Sequence, residues 1–317
     1  MSVVLNNPQG MAVANSVGYI ANTGGNNICS IFLDNNSSSL TLFYSQPNFM
    51  PQNIVYNSST GYLYVIDSVN KQLYVIGLDA KLKKTVTINE YASDITFDNK
   101  GNFYIIYRGG PNSPNASIYI INFNDDGSVT NNLLANISSY TYGTNNPTCI
   151  TYNNFDDCLY YAAYTDIYKL SISQQDANNP VVSTYSYLTT ANYPTGLVFD
   201  PRGQLYASTV AFNTLEIHKV NPVTSDGSNI NNVFLCSNTK NSDVNQTGLP
   251  GIVYYNNTFK EYIVYTNNFI NTINKYNIPP PPTSTPPPTL SSTKKTKREI
   301  VKNIANIIIN FGDLIIH

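Results

Sequence analysis

The sequence predicts an all-β fold: a six-bladed β-propeller closed by its N-terminal strand, with a Pro-rich linker and a short amphipathic C-terminal helix behind it. Three observations predict this. One phrase recurs six times at a spacing of about 40–55 residues, the period of a four-stranded blade. Within each copy, runs of Val, Ile, Tyr and Phe alternate with clusters of Asn, Gly, Asp and Ser, the composition of short strands and their turns. No copy holds a helical pattern long enough for a βαβ crossover, which disfavours a parallel sheet.

The first copy reads Asn7-Pro-Gln-Gly-Met-Ala-Val-Ala, Gly18-Tyr-Ile-Ala-Asn, Asn27-Ile-Cys-Ser-Ile-Phe. The second begins at Pro51 and holds Gly61–Ile76, the third begins at Ser93, and the fourth begins at Pro147. The fifth begins at Pro194 and the sixth at Pro250. A fourth, weaker run follows in most copies: Leu40–Tyr44, Thr85–Ile88, Val182–Tyr187 and Val233–Leu235. The sixth copy has none, because Pro279–Pro282 follows Tyr276 and proline removes the ladder donor. The orphan run Ser2–Leu5 is therefore expected to complete the last blade and bury two open edges. This divides the chain into a propeller (1–278), a Pro/Ser/Thr-rich linker (279–293) and a basic amphipathic tail (294–317).

Gly18–Phe32, Gly61–Ile76 and Pro194–Ala207 resemble NHL repeats. Copies one, two and five carry the likeness, copies three, four and six depart from it, and the tail falls outside it. The resemblance implies a fold that hosts many functions. In lactonase-like and SMP-30-like propellers it implies Glu, Asn and Asp metal ligands just before the first strand of several blades. The matching positions are Gln9, Gln52, Ser93, Thr148, Thr195 and Pro250, with no carboxylate among them. One residue further on, Asn53 and Asp94 are the fallback candidates for calcium, a cation that needs converging oxygens. No other cofactor is expected. The amidating-lyase branch implies zinc held by histidines. The two present, His218 in a predicted strand beside Glu216 and His317 at the end, cannot assemble such a site, and His218 reads as a surface strand residue.

No nucleophile elbow, P-loop or dinucleotide fingerprint occurs. Cys29, Cys149, Cys158 and Cys236 lack metal or redox spacing and read as buried thiols, with a Cys149–Cys158 disulfide as the alternative. Gly24-Gly25 and Gly109-Gly110 read as turns at positive φ. The residues following the second strand of each blade are Asn22, Asp67, Arg108, Tyr164, Thr209 and Asn267. They form a candidate ligand-binding ring at the channel mouth, or else cap turns, as Asn and Asp do well.

Charged residues make up 11% of the chain and asparagine about one residue in seven, so amides do much of the surface work. The tail carries +3 and the propeller −5, which argues against nucleic acid as a partner of the ring. Residues 1–10 hold no basic-then-apolar leader, so the cytoplasm is the default expectation. No segment is apolar enough over a sufficient length to span a membrane. In the tail, Ile300, Ile304, Ile307, Ile308, Phe311 and Leu314 share one helical face. Such a face would tether the ring to a protein partner, a like chain or a membrane surface. The leading expectation is a non-catalytic binding scaffold. The alternatives are a metal-dependent lactonase-like hydrolase or lyase with an off-pattern site near Asn53, Asp67 and Asp94, and a structural component of a particle or coat.

Overall fold

The computed structural model describes residues 3–34, 39–89, 91–109, 116–123, 129–137, 147–163, 166–171, 182–183, 193–211, 214–220, 233–239, 251–257, 260–268 and 271–280. The chain divides into two compact units, Met1–Ile278 and Pro279–His317. Of the second, Pro279 and Pro280 alone are described, so the linker's remainder and the tail residues Ile300, Ile304, Ile307, Ile308, Phe311 and Leu314 lie outside the described residues.

The first unit is a six-bladed propeller of antiparallel sheets. Blade 1 is β1–β4, Pro8–Ala14, Val17–Asn22, Asn27–Phe32 and Thr41–Ser45. Blade 2 is β5–β8, Asn53–Asn57, Tyr62–Asp67, Gln72–Gly77 and Leu82–Thr87. Blade 3 is β9–β12, Ala92–Phe97, Phe103–Tyr107, Ala116–Phe123 and Val129–Ile137. Blade 4 is β13–β16, Pro147–Asn153, Cys158–Ala163, Asp166–Ser171 and Val182–Ser183. Blade 5 is β17–β20, Tyr193–Phe199, Leu205–Ala211, Thr214–Val220 and Val233–Thr239. Blade 6 is β21–β23, Ile252–Asn256, Glu261–Asn267 and Thr272–Asn277.

The second strand of each blade is apolar on both faces because each face meets a different neighbour. In β6, Leu63 and Val65 pack toward blade 1 while Tyr64 and Ile66 pack toward blade 3. In β10, Phe103 and Ile105 face blade 2 while Tyr104 and Ile106 face blade 4. The same alternation repeats around the ring and gives six apolar clusters, one at each blade-to-blade contact. Strands in a stacked radial sheet thus read as continuous hydrophobic runs. The turns between first and second strands of blades 2, 3 and 5 place Gly61, Gly101 and Gly203 at φ 72°, 85° and 81°. That region is open to glycine without strain.

Three expectations are corrected. Among the described residues, Val3–Leu5 is not a strand of blade 6, whose sheet has three strands. Leu5 is instead buried in the blade 6–blade 1 cluster, and the Asn7 N–H donates to Asn271 Oδ1 at 2.8 Å. The N-terminal segment therefore seals this seam through side chains and bends. His218 is buried, 6% exposed, because β19 lies inside its sheet and its alternation sends His218 and Val220 toward blade 4. Its Nε2 lies 3.0 Å from Glu216 Oε2, and its ring meets Phe234 edge-on. Gly24 and Gly25 sit in a 3₁₀ turn whose positive φ belongs to Asn26, 55°.

Candidate functional site

The first strands β1, β5, β9, β13, β17 and β21 contact one another around the ring and line its centre. In blades 3, 4 and 5 each carries a β-bulge, with Ser93, Thr148 and Thr195 as the extra residues. A bulge re-aims its neighbours, and here two of the three hydroxyls become staples between blades. Ser93 Oγ donates to the Pro147 carbonyl of blade 4 at 3.2 Å, and Thr148 Oγ1 to the Pro194 carbonyl of blade 5 at 2.6 Å. Thr195 Oγ1 bonds within its own blade, 3.3 Å from the Ser208 carbonyl. Ser93 and Thr148, at two of the positions where the resemblance would place metal ligands, thus hold neighbouring blades together.

One residue further along, the strands present Gly10, Asn53, Asp94, Cys149, Gly196 and Gly251 in successive blades. Asp94 is 8% exposed and lines a channel cavity of about 160 Å³ together with Asn53, Ile150, Gly196, Leu197 and Ile252. Its Oδ1 accepts the Ile95 N–H at 2.7 Å and the Asn53 amide at 2.5 Å. Its Oδ2 accepts the Ile150 N–H of the next blade at 2.8 Å. Burial pushes the carboxyl up to about 7, and the N–H donors of Ile150 and Ile95 pull back only part of that rise. The neighbouring Cys149 thiol is also raised, first by burial and then by the Asp94 charge. The calcium expectation meets a mismatch in the donor set. The Asp94 oxygens already take three N–H donors and Asn53 Oδ1 takes the Ile54 N–H at 2.7 Å, whereas calcium needs six to eight converging free oxygens. Among the described residues no three of His, Cys, Asp and Glu gather at one point.

The ring after the second strands is placed differently from an open recognition surface. Asn22, Asp67, Thr209 and Asn267 are fully buried. Asn22 accepts the Asn6 N–H at 2.6 Å and donates to Asn27 Oδ1 at 3.0 Å. Asp67 accepts N–H groups of Met50 at 2.9 Å and Asn70 at 3.0 Å. These are turn-holding bonds. Arg108 is half-buried, and Tyr164 lies outside the described residues.

All four cysteines are free. Cys149 faces Ala162 and Cys158 faces Asn153 in register, too far apart along the strands for a disulfide. A second cleft, about 320 Å³, lies at the turns of blades 4 and 5 with Tyr152, Phe155, Phe199 and Tyr254 on its walls. Its acid, Asp200, is spent on Arg202, 2.7 Å away, and Arg202 bridges on to Glu261, also at 2.7 Å. The channel was partly legible in sequence, since Asn53 and Asp94 stand one residue past the matched positions. The bulge at Ser93, beside Asp94, has no sequence signature of its own.

No protein-family model matches the chain, and no curated protein matches it. Solved structures do. A gluconolactonase from Xanthomonas campestris superposes with a TM-score of 0.57 at 11% identity, over 88% of this chain and 87% of that one. A streptogramin B lyase gives 0.52 at 17%, over 89% and 86%. The calcium-binding protein regucalcin from Agrobacterium tumefaciens gives 0.53 at 12%, over 83% of each. At such identities the likeness is one of fold: the chain is an all-β six-bladed propeller with structural neighbours among gluconolactonases and streptogramin lyases.

Proposed function

We propose that the chain is a small-molecule enzyme of the hydrolase or lyase kind, working in the central channel with Asp94 as its proton-transferring group. The observation that carries this is a single carboxyl in the channel wall, pushed up to about 7 by burial. Such a group exchanges protons readily at neutral pH, where general acid–base catalysis is most effective. The fold neighbours with names that state an activity, a gluconolactonase and a streptogramin B lyase, support the same class. For a lactone or ester, water would add to the acyl carbon while Asp94 takes its proton. The acyl C–O bond then breaks and Asp94 returns the proton to the departing oxygen. Asn53, bonded to Asp94 Oδ1, would orient the carboxyl. The test is proton release from a panel of small lactones and esters. Asp94→Asn should lower the rate by about 10²–10⁴-fold; equal rates in both proteins, or no turnover of the panel, would sink the reading.

A second reading is favoured by the bulge hydroxyls, which stitch blades together where the enzymatic resemblance would have ligands. In it the propeller is a non-catalytic scaffold and residues 294–317 tether it to a protein partner, a like chain or a membrane surface. Deleting 294–317 and measuring the oligomeric state and binding to anionic vesicles tests it; an unchanged result on both counts would remove the tether.

A further inference from the structure

The two halves of the channel differ in what covers the exposed edge of the first strands. In blades 2, 3 and 4 the edge N–H groups of Ile54, Ile95 and Ile150 are each capped by a side-chain oxygen, from Asn53 or Asp94. The register makes Met11, Leu197 and Ile252 their equivalents in blades 1, 5 and 6. Ile150 opposes Tyr161 three residues after Pro147, Leu197 opposes Ala207 three after Pro194, and Met11 opposes Ile20 three after Pro8. Ile252 opposes Tyr265, one residue past Gly251, as Ile54 opposes Val65 one past Asn53. The N–H at this position points away from the second strand, so the sheet ladder does not use it. In blades 1, 5 and 6 the preceding residue is Gly10, Gly196 or Gly251, and glycine brings no oxygen. Among the described residues, no side chain caps these three N–H groups. Gly251 stands toward Met11 as Asp94 stands toward Ile150: a Cβ on it would lie 2.6 Å from the Met11 nitrogen. Met11, Gly196, Leu197, Gly251 and Ile252 all line the channel cavity opposite Asn53 and Asp94.

We infer that the backbone N–H groups of Met11, Leu197 and Ile252 form a binding arc for an acceptor oxygen, and that the channel's ligand is a small carboxylate or carbonyl compound. Its oxygen takes the place that the Asp94 carboxylate holds in the other half. Concave rows of backbone N–H groups at sheet edges suit such oxygens, and they need no counter-charge. The inference rests on the channel being the site and names its ligand class; it does not depend on Asp94 transferring a proton.

The test is a titration of the full ¹⁵N-labelled chain at pH 6 with acetate and, separately, with γ-butyrolactone, following six amide resonances. Saturable shifts at Met11, Leu197 and Ile252, with Ile54, Ile95 and Ile150 unmoved, are the expected result. Shifts at none of the six, or at all six alike, would overturn it. Lactone turnover lost in Asp94→Asn without an amide response would remove the arc and leave the proposed activity standing. An amide response without turnover would do the reverse.

Discussion

The seam between blades 3 and 4 and the seam between blades 6 and 1 perform the same task with different chemistry. At the first, a buried carboxylate crosses the gap, Asp94 taking the Ile150 N–H, and the Ser93 hydroxyl reaches the Pro147 carbonyl. At the second, where the ring must close without chain continuity, the channel-side contacts are neutral. The Gly251 N–H donates to the Gln9 carbonyl at 2.9 Å and Thr266 Oγ1 donates to the same oxygen at 2.5 Å. Outside the channel, Lys275 Nζ donates to the Leu33 carbonyl and Tyr255 donates to Asp34. A neutral hydroxyl or a backbone pair is enough to hold two blades. A buried ionisable group is an expensive substitute for them, and its use as the bridge between blades 3 and 4 is a physical reason to look for a function there.

The largest difference between the seams should be their response to pH. Asp94 titrates near 7 in the fold against an ordinary 3.8, so the folded state holds a proton that the unfolded chain releases. The resulting stabilisation is complete below about 3.8 and is lost as pH rises through about 7, with a ceiling of about 4 kcal/mol. Urea unfolding at pH 5, 6, 7 and 8 should show the wild-type chain losing ground to Asp94→Asn across that window. Parallel curves would mean that the carboxyl is not shifted.

Next in size is the closing seam's dependence on close backbone approach. A Cβ on Gly251 would sit 2.6 Å from Met11 N, 2.7 Å from the Gln9 carbonyl oxygen and 2.8 Å from Gly10 C, all backbone atoms that cannot swing aside. Gly251→Ala should cost about 3 kcal/mol, with no dependence on pH between 5 and 8. A loss under about 1 kcal/mol would show that the seam is looser than its contacts imply.

Much of this was legible in the sequence, and the exceptions have physical causes. The first three strands of each blade announce themselves because apolar runs serve two interfaces at once, as in Tyr62–Asp67. The outermost strand of blade 3, Val129–Ile137, does not, since an outer strand needs little burial and Asn131, Asn132 and Asn136 break its pattern. The run Ser2–Leu5 has strand composition, yet Leu5 is needed as a core side chain at the closing seam and Val3–Leu5 joins no sheet. Asn22 and Asp67 were visible as polar residues after a strand. Composition alone does not separate a turn-holding residue from a recognition residue, and the full burial of both side chains is not written in the sequence. Asp94 was visible as a carboxylate displaced by one residue, but its environment follows from the Ser93 bulge and from Ile150, 56 residues away.

Single hydroxyls should rank third, and here the seams should look alike. Thr266 is fully buried with its Oγ1 on the Gln9 carbonyl, and Ser93 is 6% exposed with its Oγ on the Pro147 carbonyl. Thr266→Val and Ser93→Ala should each cost about 1 kcal/mol by urea unfolding, the net worth of one such bond. A cost several times larger at Thr266 alone would mean that the closing seam is the weak joint of the ring.

The smallest effect is expected from the most conspicuous polar contact between blades 3 and 4. Lys100 Nζ lies 3.0 Å from Asp157 Oδ2, with the two side chains 61% and 39% exposed. Asp157 also accepts the Tyr152 hydroxyl at 2.7 Å, so removing the lysine leaves the carboxylate with a donor. Water screens such a pair, and fixing a long lysine chain offsets most of the attraction that remains. Lys100→Ala should change stability by no more than about 0.5 kcal/mol, and less still in high salt. A larger loss would shift the weight of the blade 3–4 seam from the channel to the surface. It would also weaken the case that Asp94 is retained for something other than holding two blades together.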